Sequence, residues 1–373
     1  MKSVSVFRSW THVGCCCAAL ALVGCPQLLD DEFTPSAAGE LPDAPLGSSG
    51  AAGAVGGAGN GNDAGAGGGP GGTAGGQAGG GPLLGGTCVD GERTQNETET
   101  DCGGVCLPCN CTFGPFGEVL QVEGIGTDDR SGPALSSDGQ WLYFSVTTSS
   151  NPEDLFRAQR GDNGFTFTDF EPVRSLNTGS LEGSPFLTDQ DLTLYFFSDR
   201  PGGLGSRDVW VATRGSVAED FTGAQLVGGV NSAALDLLPR LSPDGLTLFF
   251  ESTREGGSGS ADIWAAERST PTAPFGTPVP RDDLNTPSRE EGLTLTSDGL
   301  TVVLTSTRGG DLDLWMGTRA TRSGRFGDFE RISELNTDAD ELDPTLSSDG
   351  RDIYFSSTRD GDWRIYHAQR ECQ

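Results

Sequence analysis

The chain has 373 residues, with 53 acidic side chains against 24 basic ones and a formal net charge of −29. A chain this acidic repels phosphate backbones, which excludes nucleic-acid binding. Its two histidines are His12, in a segment that reads as an export signal, and His367, so histidine-rich metal sites are excluded and a Ser-His-Asp triad is confined to His367.

Lys2 and Arg8 give a basic start, Val13 to Val23 form a short apolar run, and the run ends in Leu22-Val23-Gly24-Cys25. This is the pattern of a removed secretion signal, and it is too short to span a bilayer well. The Leu-Val-Gly-Cys ending resembles the bacterial lipoprotein lipobox. That resemblance implies a signal peptide over 1–24 and a lipid (palmitate-type acyl chains) on Cys25. An ordinary signal peptide is the rival reading. Cys15 is a poorer acceptor, because His12 stands three residues before it and little apolar chain precedes it. Three acyl chains would anchor the protein stably. Pro26, where some bacteria place an aspartate for inner-membrane retention, favours the outer membrane, on its periplasmic or surface face.

Residues 25–86 carry the lipidated cysteine and long Gly-Ala stretches such as Gly65 to Gly81. So few large apolar residues cannot offset the entropy of ordering, and the segment is expected to be a disordered tether. A Gly-rich coil of roughly 60 residues reaches about 40–45 Å.

Of the ten cysteines, Cys15, Cys16 and Cys17 leave with the signal and Cys25 is the anchor. The six that remain are Cys88, Cys102, Cys106, Cys109, Cys111 and Cys372, an even number in an exported chain, which implies disulfides. The run from Cys88 through Glu99-Thr-Asp-Cys102-Gly-Gly-Val-Cys106-Leu-Pro-Cys109 resembles a Cys-rich module that stands beside tethers in bacterial surface proteins. It is assigned to 87–110, with a zinc site as the rival reading of its four cysteines. Cys372 needs a partner where the chain ends meet, and Cys111 is the candidate.

From 111 to 373 a unit recurs every ~51–54 residues, the strongest signal in the chain. Its turns read Pro133-Ala-Leu-Ser-Ser-Asp138-Gly139, Pro185-Phe-Leu-Thr-Asp-Gln190-Asp191, Pro239-Arg-Leu-Ser-Pro-Asp244-Gly245, Leu293-Thr-Leu-Thr-Ser-Asp298-Gly299 and Pro344-Thr-Leu-Ser-Ser-Asp349-Gly350. Asp-Gly supplies the left-handed conformations of a tight hairpin. Each turn leads into an apolar strand. A polar turn follows, then a third strand that opens on Asp154, Asp208, Asp262, Asp313 or Arg364. Phe-containing segments ending in Leu176-Asn177, Val230-Asn231, Leu284-Asn285 and Leu335-Asn336 read as fourth strands.

Four strands repeated radially make a β-propeller blade. The Ser-Pro-Asp-Gly turn, the Phe-Phe strand, the Ser-Thr-Arg turn and the Asp-Ile-Trp strand resemble the Pro-Asp (WD-like) repeat of the TolB family. That family spans many tasks, so the resemblance implies a fold and leaves the function open. Five motifs but only four intervening fourth strands leave the last blade short of one, and Phe113 to Ile125 reads as the missing strand. The expected architecture is all-β: a five-bladed propeller, expected to be a monomer, closed by its N-terminal strand. Cys111 and Cys372 would then clasp the seam, and closing so long a loop contributes roughly 4–5 kcal/mol on the entropic model.

Two sets of charged residues stand out. Arg200, Arg254, Arg308 and Arg359 of the Ser-x-Arg turns read as partners for Asp154, Asp208, Asp262 and Asp313. Glu182, Asp236, Glu290 and Glu341 each fall five residues after an Asn of the Leu-Asn-Thr type. They read either as carboxylates converging on the channel mouth, where Ca2+, a cationic group or a sugar would bind, or as caps on their own loops. The acids read as recurring at equivalent repeat positions, without the distinctive unrepeated pair that a glycosidase needs. The expectation is therefore a cell-envelope binding or scaffolding lipoprotein for envelope proteins or glycans that is not an enzyme and holds no resident cofactor beyond Ca2+. A carbohydrate-active enzyme and a purely structural envelope protein are the alternatives. His367 reads as a surface residue of a third strand.

Overall fold

A computed structural model describes residues 112–148, 153–161, 166–188 and 190–373. The signal, the anchor Cys25, the tether and the cysteines Cys88, Cys102, Cys106, Cys109 and Cys111 lie outside the described residues. All described residues belong to one unit, Gly79–Gln373.

Strands β1 (Phe113–Phe116) and β2 (Leu120–Gln121) come first. Blade 1 is β3 (Asp129–Leu135), β4 (Trp141–Thr147), β5 (Asp154–Arg160) and β6 (Phe167–Pro172). Blade 2 is β7 (Glu182–Thr188), β8 (Thr193–Ser198), β9 (Asp208–Thr213) and β10 (Thr222–Leu226). Blade 3 is β11 (Asp236–Leu241), β12 (Thr247–Ser252), β13 (Asp262–Glu267) and β14 (Val279–Pro280). Blade 4 is β15 (Glu290–Leu295), β16 (Thr301–Ser306), β17 (Asp313–Thr318) and β18 (Gly327–Arg331). Blade 5 is β19 (Glu341–Leu346), β20 (Asp352–Ser357) and β21 (Arg364–Cys372). Each blade is an antiparallel sheet in sequence order, and the inner strands β3, β7, β11, β15 and β19 touch in a closed cycle. The protein is a five-bladed β-propeller.

The fourth strand of blade 5 comes from the other end of the chain. Phe113 pairs with Cys372 and Leu120 with His367, both antiparallel, and the N–H of Gln373 donates to the carbonyl of Thr112 at 2.8 Å. This closure hides the edge of β21 that would otherwise be free to pair with another chain.

Side chains that repeat from blade to blade fix the ring. Five arginines at the ends of third strands, Arg160, Arg214, Arg268, Arg319 and Arg370, donate from Nε to the carbonyls of Gly139, Asp191, Gly245, Gly299 and Gly350 in the hairpin turns. Each guanidinium also lies over a phenylalanine of the fourth strand region: Phe167, Phe221, Phe275, Phe326 and, across the seam, Phe113 at 3.9 Å. Phe113 thus does for blade 5 what an internal residue does elsewhere, which is why the first strand fits there. The four Asn of the Leu-Asn-Thr type lie in turns just past the fourth strands. Asn177, Asn231, Asn285 and Asn336 each accept from the N–H, and donate to the C=O, of the second residue in the third strand.

Apolar clusters fill each of the five blade interfaces. Tyr143 and Leu155 pack with Phe196 and Trp210 between blades 1 and 2, and Phe144 packs with Tyr354 and Ile365 between blades 1 and 5. His367 is on the third strand as expected, yet it is buried rather than at the surface, with Nε2 2.6 Å from Asp352.

Candidate functional site

The four acids five residues past each Asn begin their inner strands, and all four are fully buried. Glu182 accepts the N–H and hydroxyl of Thr178 and the hydroxyl of Ser198, and its Oε1 lies 3.1 Å from Arg200. Asp236, Glu290 and Glu341 repeat the arrangement with Arg254 (2.5 Å), Arg308 (3.3 Å) and Arg359 (3.2 Å). Their oxygens are occupied inside the blades, which is the loop-capping alternative, and they do not converge at an open mouth. Among the described residues no group of three or more His, Cys, Asp or Glu is placed to hold a metal ion.

The expected pairing of these arginines with the third-strand aspartates is corrected. Asp208 and Asp262 instead accept backbone N–H groups from Leu204–Gly205 and Ser258–Gly259, and Asp313 forms two bonds of 2.7 Å with Arg331. The arginines reach further. They cap the carbonyls of Leu176, Val230, Leu284 and Leu335 and lie over aromatic rings, as Arg359 does over Phe355 and Tyr366. In blade 1, where Thr147-Thr148 replaces the turn arginine, Arg130 stands in the acid's place and caps the carbonyl of Ile125 from there. One cation serves where the other blades use a pair.

The axial site is built from residues that break the repeat. Glu251 occupies a second-strand position where the other blades have Ser145, Phe197, Thr305 and Ser356. Glu291 follows Glu290, where the others carry Ser131, Gly183, Leu237 and Leu342. Asp343 sits at the bulge of β19, where its counterparts are Gly132, Ser184, Leu238 and Gly292. Its φ of +54° is left-handed backbone that a carboxylate-bearing residue adopts at some cost, and Ser184 (+47°) and Leu238 (+51°) share it. The bulge therefore re-aims these side chains within the inner ring.

Arg289 joins two of these acids, with Nε 2.7 Å from Glu291 and Nη2 3.5 Å from Glu251. The closer contact is an ion pair whose N–H is not aligned as a hydrogen bond, so Glu291 Oε1 is left without one, as is Asp343 Oδ1. Glu153, just before β5, completes the group. A Cβ on Gly183 would clash with its carboxylate, so glycine there makes room for it.

Burial dominates the electrostatics. It pushes Asp343 up to about 6 against the pull of Arg240, and Glu153 up to about 7 against Arg207 and a hydrogen bond from Ser145. Glu251 and Glu291 are both raised, first by burial, with Arg289 opposing and the charge of Glu251 adding to the rise of Glu291. Two carboxyls coupled in this way titrate together. A carboxylic acid that keeps its proton near neutral pH can donate a hydrogen bond or a proton, while its ionised neighbour accepts one. These four acids were missed because the sequence was aligned on turns; comparing strand positions one by one would have exposed Glu251, Glu291 and Asp343 as exceptions.

No family model matches the chain, and no curated protein matches it. Among solved structures, TolB from Acinetobacter baumannii is 15% identical over 66% of this chain with a TM-score of 0.40, and the chain spans 56% of that protein's length. The endo-arabinase from Bacteroides thetaiotaomicron is 14% identical over 67% of this chain and 97% of its own, with a TM-score of 0.46. The α-L-arabinofuranosidase PaAbf62A from Podospora anserina is 13% identical over 71% and 98%, with a TM-score of 0.46. The expectation that the chain is not an enzyme is corrected: the propellers similar to it include sugar-cleaving enzymes as well as TolB, and the repeat-breaking acids whose supposed absence supported that expectation are present. The fold leaves both possibilities standing.

Proposed function

We propose that this chain is an envelope lipoprotein, held through Cys25 and a Gly-Ala tether, whose propeller binds a glycan at the axial site of Glu153, Glu251, Arg289, Glu291 and Asp343. The observation that carries this reading is the set of repeat-breaking acids, two of them (Glu251 and Glu291) bridged by Arg289, at the end of the inner strands opposite the Asp-Gly turns. Carboxylates and a planar guanidinium offer the paired acceptors and donors that adjacent sugar hydroxyls require. The exposed large apolar side chains among the described residues are scattered, with Leu120 on blade 5, Phe170 on blade 1, Val279 on blade 3, and Leu204 and Val217 in separate loops of blade 2. That distribution favours a polar ligand over a protein partner docked on an apolar patch. Cleavage of the bound glycan is a second reading, favoured by the neighbouring raised carboxyls of Glu251 and Glu291.

The test is a panel of defined envelope and plant-wall oligosaccharides offered to the full chain, with binding and release of new reducing ends both measured. Retention of one class, weakened at least tenfold in Arg289→Ala and in Glu291→Gln but unchanged in the surface variant Glu330→Gln, is the expected result. Equal retention by all variants would remove the axial site from the reading. New reducing ends that vanish in Glu291→Gln would add catalysis to it.

The anchor has its own check. Cells expressing the chain and fed a labelled palmitate are expected to label it, with the label lost in Cys25→Ser and retained in Cys15→Ser. Label that persists in Cys25→Ser would refute the anchor. The seam clasp of Cys111 with Cys372 stays part of the proposal, supported by the pairing of Phe113 with Cys372 and by Cys372 being held as a disulfide sulfur.

A further inference from the structure

At the other end of the ring a cavity of about 240 Å3 opens among the hairpin turns, with Ser137, Gln190, Pro243 and Ser348 at its exposed rim. Its walls are mostly apolar, including Leu135, Phe186, Leu241, Leu293 and Leu346. Arg240 lines it and is only 2% exposed. This arginine also breaks the repeat, since its counterparts are Ala134, Phe186, Thr294 and Thr345.

Nη1 of Arg240 donates to the carbonyl of Pro239, but Nε and Nη2 have no hydrogen-bond partner. Those two atoms form one edge of the guanidinium, the pair of parallel N–H groups that a carboxylate accepts with both oxygens. Phe186 packs against the guanidinium at 5.4 Å from its ring centre and helps fix its plane. Asp343 acts on Arg240 through its field, yet its own Oδ1 is without a hydrogen bond. A buried cation whose unpartnered fork edge is sealed from solvent, beside an apolar cavity that the residue lines, calls for an anion with an apolar body.

The geometry points to a binding site for a small monocarboxylate at the turn face of the propeller, its carboxylate held by the Nε–Nη2 edge of Arg240 and its short apolar body against Leu241, Leu293 and Leu346. The volume lies below the roughly 300–1,000 Å3 of drug-sized sites, so the ligand is small. This site opens at the opposite end of the ring from the proposed glycan site and does not rest on that reading, although Asp343 acts on both.

Thermal melting of the full chain at pH 7 and constant ionic strength tests it, with sodium hexanoate as the probe, the neutral hexanamide as its control and sulfate as an anion without an apolar body. Hexanoate at tens of millimolar is expected to raise the melting temperature by about 3 °C, and hexanamide and sulfate to leave it unchanged. Arg240→Met replaces the buried charge with an apolar chain of similar length and is expected to fold, while Arg240→Lys keeps the charge and loses the fork. Both are expected to weaken hexanoate binding at least tenfold. Equal shifts from hexanoate and hexanamide, an undiminished shift in Arg240→Met, or a response to sulfate alone would overturn the assignment. So would a wild type indifferent to every probe, which would leave the cavity to water.

Discussion

Glu341→Ala is expected to cost about 3–5 kcal/mol of stability and to lower the melting temperature by roughly 10 °C, as seen by calorimetry or denaturant titration. The substitution removes the acceptor for the N–H and hydroxyl of Thr337 and for the hydroxyl of Ser357, and it strands Arg359 between Phe355 and Tyr366. Removing one member of a buried ion pair is costly because the other charge stays behind without compensation. Glu341→Gln keeps an oxygen for Thr337 and loses less. Glu330→Ala on the exposed edge strand is expected to change stability by no more than about 0.5 kcal/mol. EDTA is expected to leave all these melts unchanged, because the oxygens of Glu341 already serve protein donors. A loss below about 1 kcal/mol for Glu341→Ala, or a melt that collapses with EDTA, would return the four strand-opening acids to ligand binding.

The second large effect is on the pH dependence of stability. Glu153, Asp343 and the Glu251–Glu291 pair all have carboxyl groups raised by burial. The folded protein therefore binds more protons than the unfolded chain between the ordinary carboxylate range and the raised values. The stabilisation is fully present at low pH and is lost as the pH rises through about 6 to 8. The protein is expected to be more stable at pH 5 than at pH 8, by an amount on the order of 2 kcal/mol. Glu251→Gln combined with Glu291→Gln removes two of the titrating groups and frees only Arg289, whose side chain is 44% exposed and can turn to solvent. That variant is expected to gain stability at pH 8 and to show a flatter profile. Parallel profiles for wild type and double variant would mean that these acids are ionised and compensated at neutral pH.

Much of the ring was legible because a propeller repeats its local chemistry. The Asp-Gly turns at 138–139, 244–245, 298–299 and 349–350 adopt the left-handed glycines that their composition requires, with φ near +70°. The motif count and the orphan strand at Phe113 together predict closure onto β21, and the register bears that out. In blade 2 the turn departs: Gln190 and Asp191 take the positive φ themselves, and the Asp191 carboxylate binds the N–H and hydroxyl of Ser137 in blade 1. A carboxylate there ties neighbouring blades, a role that a glycine cannot fill.

Pairing was the harder matter. Sequence spacing put the turn arginines within reach of two acids, one opening the third strand and one opening the inner strand. It had no means of choosing, since both recur with the same period. The choice fell to the inner-strand acids because the guanidinium stacks on aromatic rings in the blade interface, where a buried carboxylate is needed to balance it.

What the sequence by itself determined is whatever depends on local conformation and period: strands, turns, blade number and the origin of the closing strand. Only the tertiary structure decided which charges meet. Arg289, Glu251, Glu291 and Asp343 come from three blades, and Arg240 lines a cavity walled by all five. The physical reason is that the axis of a ring gathers residues that are far apart in the chain, and desolvation there, rather than any spacing along the sequence, sets which of them hold their charge.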